Sequence, residues 1–353
     1  MTVGAWRAGR AVTFRLGVVG VVLILLVVAC SGAEEVPADP PDDEQAEPEP
    51  EPEPDAHLLT GIATDEVPDR PALLVKVSNS PEARPHTGLE AADVVFEELT
   101  EGGVTRFLAV FHSELPEVVG PVRSARPVDV QLMSGFGVPG FAHSGARAEV
   151  RAMLAAAPAV PITEGAPGFF RDDGTYASHP VAPHNLFLRP DATLAAVEEG
   201  GAQPLGALGW VFSDDPPTGP DIGDALELEV EMSTSFRTGW TYDEAAGVYR
   251  RAQNGVASEV TGPGRIGAAN VVVLSVRHYI GASGYPETDV LGEGEALVLR
   301  DGRRIPARWS KATETDALLV LTADGADPFP FKPGPTWILL PDELPPPEQP
   351  ASS

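Results

Sequence analysis

The chain has 353 residues, 43% hydrophobic and 7% aromatic, which is enough for about two folded domains and excludes a wholly disordered protein. Its 52 acidic and 24 basic residues give a formal net charge of −28. This charge argues against a nucleic-acid-binding protein, because phosphate contacts need a basic face. The single cysteine excludes a disulfide framework and a zinc site built from cysteines.

Residues 1–29 have the pattern of a bacterial lipoprotein signal peptide. Arginines at positions 7, 10 and 15 form a positive start, and an apolar run follows over residues 16–29. A bilayer core normally takes about 20 apolar residues in a row, so this shorter run favours a cleaved leader over a stable membrane span.

The run ends in Val27-Val28-Ala29-Cys30, which resembles a bacterial lipobox. In that motif Cys30 would be diacylated on its sulfur and would become the N-terminus after cleavage. We therefore predict that acylated Cys30 holds the protein on the lipid bilayer, at the outer face of the bacterial cell membrane. A short membrane anchor that happens to contain a cysteine is the alternative.

Residues 30–57 predict a disordered acidic tether. From position 31 to 57 there are eleven acidic residues and no Lys or Arg, within a Pro-Glu repeat. Like charges repel and proline removes backbone donors, so this segment is expected to be extended; a ligand-binding acidic tail is the alternative. The rest of the chain keeps 41 acids and 21 bases, an excess that anionic lipid repels.

Residues 58–212 predict a first domain of the α+β class. The glycines of Glu101-Gly102-Gly103 are suited to a hairpin turn, and strands that precede helices favour a layered mixed sheet over a regular βαβ alternation. Its predicted elements are strands over 72–77, 93–99 and 104–111, a helix that starts at 127, and helices over 146–157 and 191–199.

Turn and breaker residues concentrate over 213–224, and this composition predicts a linker. After the linker, closely spaced strand-like runs over residues 225–341 predict a mostly-β second domain packed beside the first. The acidic, proline-rich end over 342–353 predicts a disordered tail. The predicted strands of the second domain cover 226–232, 239–242, 248–252, 270–276, 296–299, 318–321 and 337–340.

The segment Gly120–Pro127 carries the clearest candidate site. Proline is favoured at the first position of a helix, so Arg123 and Arg126 would lie just before the positive end of a helix that starts at Pro127. Two guanidiniums beside free backbone donors predict a site for an anion. The candidate ligand-binding residues are Arg106, Arg123, Ser124, Arg126, His143, Ser144, Arg171, His184 and Asn185.

The alternative for each arginine is a structural ion pair with a carboxylate such as Glu97, Glu98 or Glu101. No metal site is predicted, since no H-E-x-x-H motif occurs and two prolines separate His179 from His184; a divalent-cation site formed by these histidines with Asp172 and Asp173 is the alternative. No cofactor is predicted either, because neither a P-loop nor a dinucleotide-binding loop is present.

Several collinear motifs resemble the YerB-like lipoprotein family. They include Glu101–Arg106, Gly120–Pro127, His143–Gly145 and Ala182–Asn185 in the first domain and Trp240–Asp243, Ala269–Val272 and Pro333–Trp337 in the second. The resemblance runs from about residue 59 to 341. It implies a two-part, layered α+β protein on the outer side of a bacterial membrane, with domains of unknown function.

Nucleophile motifs are missing around the candidate site. The sequence at Ser144 is not the G-x-S-x-G elbow, and no S-x-x-K motif occurs. The sequence therefore predicts a noncatalytic lipoprotein that binds an anionic cell-wall component or an envelope protein. The alternative is a hydrolase or transferase that acts on wall glycan or its phosphodiester links, with His143 or His184 as acid–base.

Overall fold

The computed structural model describes residues 55–346, which belong to a compact unit over residues 52–353. The signal peptide, Cys30, most of the predicted tether and residues 347–353 lie outside the described residues. Among the residues described, no helix is long and apolar enough to cross a membrane.

The first segment of the folded chain, residues 58–212, alternates short strands with three α-helices. Its strands are β1 (Leu73–Ser78), β2 (Val94–Leu99), β3 (Thr105–Phe111), β4 (Gly140–His143), β5 (Val160–Thr163), β6 (Phe169–Arg171), β7 (Leu186–Leu188) and β8 (Val211–Phe212). Its helices are α1 (Pro127–Met133), α2 (Ala148–Ala156) and α3 (Pro190–Glu199), and short 3-10 turns lie at Pro81–Ala83, Leu89–Ala91, Glu101–Gly103 and Ser134–Phe136.

The second segment, residues 223–341, is built from strands. They are β9 (Gly223–Asp224), β10 (Glu227–Ser233), β11 (Phe236–Asp243), β12 (Val248–Gln253), β13 (Val256–Ala257), β14 (Gly267–Ala268), β15 (Asn270–Leu274), β16 (Arg277–Ile280), β17 (Pro286–Asp289), β18 (Gly292–Arg300), β19 (Arg303–Lys311), β20 (Leu319–Thr322), β21 (Pro330–Phe331) and β22 (Thr336–Leu339).

One mixed sheet runs through both segments, in the order β20-β19-β18-β15-β22-β2-β3-β1-β4-β5, with β9 paired to β19. Strand β22 lies parallel to β2 on one side and to β15 on the other. Strands β1 and β2 are antiparallel to β3, and β1 is parallel to β4. The carboxyl ends of β1, β2, β4 and β22 therefore meet at one edge of the sheet.

Strand alternation gives this sheet two apolar faces. Leu74, Phe96 and Phe141 belong to the cluster that packs against α1 and α2. Val75 and Phe107 point the other way, into the cluster that packs against α3 and the second sheet. The molecule is therefore layered, with helices on one face and a helix plus a sheet on the other.

The second sheet has the order β10-β11-β12-β13, with β14 also paired to β12. Its buried Trp240 packs edge-on against Trp337 of β22, with the ring centroids 5.4 Å apart. Smaller pairs join β16 to β17, β8 to β21 and β6 to β7.

The predicted α+β class is confirmed, and every predicted strand and helix overlaps an observed element. Gly102 and Gly103 have φ of +76° and +72°, the left-handed backbone that the β2–β3 turn requires. Strand β19 went unpredicted because Pro306, three arginines and Lys311 interrupt its apolar pattern.

Candidate functional site

The candidate site lies at the edge where β1, β2 and β4 end. The segment over 120–126 crosses this edge and is held by backbone hydrogen bonds. Arg123 N donates to Lys76 O at 2.7 Å, and Ser144 N donates to Arg123 O at 3.0 Å. Arg123 is thus fixed between the ends of β1 and β4, before α1 begins.

Beneath this segment lies a buried group of three charges. Lys76 Nζ contacts Glu98 Oε1 and donates to Asp129 Oδ1 at 2.8 Å, and all three side chains are fully shielded from solvent. Burial lowers the pKa of Lys76 to about 8, against the opposing effect of Asp129. These three charges form the floor of the site, and Glu98 Oε2 is buried there without a hydrogen-bond partner in the described structure.

Arg126 makes structural contacts. Its guanidinium donates to Glu101 Oε2 at 2.5 and 2.9 Å, so this arginine follows the ion-pair alternative. Its backbone N–H donates to Asp129 Oδ2 at 2.6 Å. The backbone donors predicted to be free at the start of α1 are therefore partly taken by Asp129.

Arg106 and Arg123 differ from Arg126. Both are partly buried, and within residues 55–346 neither forms an ion pair with a carboxylate. Arg106 Nη1 donates to Ser124 O at 2.8 Å, while the buried Arg123 Nε has no hydrogen-bond partner among the described atoms. Burial, and then the charges of Arg126 and Arg123, lower the pKa of Arg106 to about 9.

Burial and the charge of Arg126 also lower the pKa of Arg123. Both arginines remain cationic at neutral pH, and their charges repel each other and that of Arg126. A bound anion would relieve this repulsion, since a guanidinium pairs with carboxylate or phosphate oxygens through two parallel hydrogen bonds.

His143 and the two serines border this pair of arginines. His143 Nδ1 lies 2.9 Å from Gly145 O and 3.1 Å from Gly145 N, and burial lowers the pKa of His143. Its Nε2 is buried without a partner in the described structure. Ser124 Oγ and Ser144 Oγ lie 3.3 Å apart.

His184 approaches the same edge from the loop that precedes β7. Its Nδ1 lies 3.3 Å from Ser80 Oγ. Burial, and then the charge of Arg123, lower its pKa. His184 and Ser80 therefore flank the arginines on the side of the β1–β2 connection.

Arg171 and Asn185 form a contact of their own. Arg171 Nη1 donates to Asn185 Oδ1 at 3.0 Å, and its other nitrogens bind Glu164 at 2.6 and 2.7 Å. Asn185 Nδ2 donates to the carbonyl of Asp172 at 3.0 Å. The observed contacts link Arg171 to Glu164 and do not link it to Arg106 or Arg123.

Sequence reasoning missed the floor of the site. Lys76 is one of only three lysines in the chain and stands inside an apolar strand, two residues after Leu74 on the same face. Glu98 follows Phe96 in the same way on β2. Lys76 and Glu98 each occupy a position that strand alternation assigns to the buried apolar face. A charged residue at such a position on two neighbouring strands is the signal that could have identified this group.

No group of three or more His, Cys, Asp or Glu side chains suited to a metal ion occurs within residues 55–346. The donor set at the site is instead cationic and hydroxylic. Such a set is suited to oxyanions.

Comparison with known proteins identifies the family. Residues 59–203 match the N-terminal domain, and residues 228–338 the C-terminal domain, of a protein of unknown function, DUF3048. The chain is 32% identical over 296 residues to the Putative lipoprotein YerB of Bacillus subtilis (strain 168), covering 80% of this chain and 86% of the relative. The chain belongs to the YerB-like family.

The fold agrees with this assignment. The crystal structure of the YerB protein from Bacillus subtilis matches with a TM-score of 0.70 at 30% identity, covering 82% of this chain and 97% of that chain. The resemblance to the YerB-like family and the α+β class, both inferred from the sequence, are thereby confirmed. The YerB-like domains carry no assigned activity, so the function of this member has to be inferred from its site.

Proposed function

We propose that this YerB-like protein is an extracytoplasmic lipoprotein that binds an anionic component of the cell envelope through Arg106 and Arg123. The observation that carries the proposal is the pair of partly buried guanidiniums without carboxylate partners in the described structure. Elsewhere at the site, Lys76 and Arg126 each have a carboxylate contact.

The surroundings favour a specific anion over diffuse attraction. The chain from residue 58 onward holds about twice as many acids as bases, so a polyanion meets a repulsive surface except where arginines gather. Ser124 and Ser144 add hydroxyl donors beside the arginines. Phosphate groups of wall polymers and carboxylates of wall peptides are suitable ligands, and an acidic segment of an envelope protein is the alternative partner.

Anchoring through Cys30 is part of the proposal. The relative in Bacillus subtilis is named a lipoprotein, which supports the lipobox interpretation. The signal peptide over 1–29 and the acidic tether over 30–57 would then hold the folded unit on the outer face of the membrane. Cys30 itself lies outside the described residues.

The binding test uses residues 31–353, which keep the whole compact unit. Retention on purified cell-wall material is measured for the parent chain and for Arg106→Gln with Arg123→Gln. The matched control is Arg265→Gln with Arg303→Gln, which removes two exposed charges from the second segment. We expect the first variant to lose at least about tenfold in affinity, or about 1.4 kcal/mol, and the control to bind as the parent does.

Equal retention of both double variants would contradict the proposal. Thermal unfolding is recorded for each, because a collapse of the Arg106→Gln, Arg123→Gln variant would instead assign these arginines to structure.

A cell-wall hydrolase or transferase is the second candidate, favoured by the contact between Ser80 and His184. The lowered pKa of His184 keeps an imidazole base within 3.3 Å of a hydroxyl, next to the charge of Arg123. Incubation of residues 31–353 with cell wall, followed by mass spectrometry of released fragments, tests this activity. Release that disappears in Ser80→Ala would support catalysis, and no release from the parent chain would exclude it for that material.

A further inference from the structure

A hairpin with exposed aromatic residues lies beside the arginine site, the name used here for the proposed anion site at Arg106 and Arg123. Strands β16 and β17 follow the end of β15, at the same sheet edge as the site. Tyr279, Ile280 and Tyr285 on this hairpin are 37%, 69% and 44% exposed. Large apolar side chains gathered on one short hairpin indicate a contact surface.

Arg147 joins this hairpin to the site. Its guanidinium carbon lies 4.4 Å from the centre of the Tyr285 ring, and its Nη1 lies 3.8 Å from Glu101 Oε1. The other carboxylate oxygen of Glu101 accepts from Arg126. The Tyr285 ring therefore contacts Arg147, Arg147 lies near Glu101, and Glu101 contacts Arg126 at the arginine site.

The polar groups around the two tyrosines are suited to hydroxyl ligands. Tyr279 donates its hydroxyl to Glu287 Oε2 at 3.0 Å, and Glu287 lies 4.0 Å from Arg147. The guanidinium nitrogens of Arg147 are buried and make no hydrogen bond in the described structure, and its Nη2 lies 3.1 Å from Glu149 Oε1 in an ion pair. A carboxylate and an aromatic ring in one place can bind both the hydroxyls and the C–H face of a sugar.

We propose that Tyr279, Tyr285, Glu287 and Arg147 form a sugar subsite, so that the ligand is a glycan that carries phosphate. This inference rests on the proposed function, because Arg106 and Arg123 hold the phosphate while the hairpin holds the adjoining sugar. Arg147 covers one face of the Tyr285 ring and fixes it, which leaves the exposed part of the ring for stacking.

The charge of the hairpin argues against a membrane contact. Glu287 and Asp289 outweigh Arg277 on its strands, and the whole chain is strongly acidic, so an anionic leaflet would repel it. A sugar carries no charge and its hydroxyls donate to carboxylates. A glycan therefore fits this surface better than lipid does.

The test compares three polymers on residues 31–353: inorganic polyphosphate, a glycan whose sugars carry phosphate monoesters (the sugar phosphate), and the same glycan without phosphate. The variants are Tyr285→Ala, Tyr285→Phe and Arg106→Gln with Arg123→Gln, and Leu226→Ala removes an exposed side chain elsewhere as the control. We expect the parent to bind the sugar phosphate about tenfold more tightly than polyphosphate, a difference of about 1.4 kcal/mol. Tyr285→Ala should abolish that preference and leave polyphosphate binding unchanged, whereas Tyr285→Phe and Leu226→Ala should keep it.

Equal binding of the two phosphate polymers by the parent, or a Tyr285→Ala variant with its preference intact, would overturn the subsite. Polyphosphate binding that survives in the double arginine variant would instead overturn the proposed function. Binding to phosphatidylglycerol vesicles is the remaining measurement. If Tyr285→Ala and Ile280→Ser weaken vesicle binding without affecting the sugar phosphate, the hairpin is a membrane contact and the subsite is wrong.

Discussion

At the scale of single residues, Lys76 determines whether the floor of the site is stable. It is the cation between Glu98 and Asp129, and all three side chains are inaccessible to solvent. Isolated buried charges are costly, so each member of the group depends on the others. Arg123 is held by the backbone of Lys76 as well, because its N–H donates to Lys76 O.

We predict that Lys76→Met lowers the free energy of unfolding by about 3–5 kcal/mol, because it leaves two buried carboxylates without a counter-charge. Adding Glu98→Gln should restore part of the loss by removing one of them. Urea denaturation measures both variants. The control is Lys332→Met, whose partly exposed pair with Asp301 should be worth at most about 1 kcal/mol; a loss for Lys76→Met no larger than this would contradict the prediction.

The sequence identified some site residues and missed others for a physical reason. Arg123 and Arg126 stand next to Pro127, so a local helix-start pattern singled them out. Lys76 and Glu98 belong to different strands, and nothing local shows that they meet. Arg147 and Tyr285 are farther apart still along the chain, and only the folded sheet edge brings them together.

At the scale of elements, the turn between β2 and β3 sets the geometry of the site. It is the turn that places Glu101 against Arg126, and its two glycines adopt left-handed backbone. The sequence predicted this hairpin from those glycines. It did not predict β4 and β5, which are only four residues long and are stabilised by parallel pairing to β1 and to each other.

We expect Gly102→Ala to cost about 1–2 kcal/mol, since a Cβ at φ +76° is strained even though open space surrounds it. Gly206→Ala is the matched control, because that glycine also has open space around it and no left-handed φ. Chemical denaturation of both variants checks the difference. Equal stabilities would show that the turn tolerates a side chain and does not depend on glycine.

At the scale of the whole molecule, β22 joins the two segments of the chain. Val94 of β2 pairs with Thr336, and Trp337 packs against Phe107 of β3 and Trp240 of β11. Apolar runs predicted each of these strands separately. Their pairing could not be predicted, because a buried strand carries no mark of which distant strand it will join.

We therefore predict that Trp337→Ala destabilises both segments together, by about 3–5 kcal/mol as for other buried tryptophans. Hydrogen exchange followed by mass spectrometry would show equal losses of protection in β1 and β3 and in β11 and β12. The exposed Leu226→Ala variant should show none. Loss confined to the second segment would mean that the two segments unfold independently.

The most direct test of the central claim follows the side-chain N–H resonances of the arginines in isotope-labelled residues 31–353 during a titration with pyrophosphate. The resonances of Arg106 and Arg123 should shift together and saturate at one concentration, because both bind the same anion. The exposed Arg277, paired with Asp289, should stay in place. Shifts at Arg277 with none at Arg106 and Arg123 would contradict the anion site.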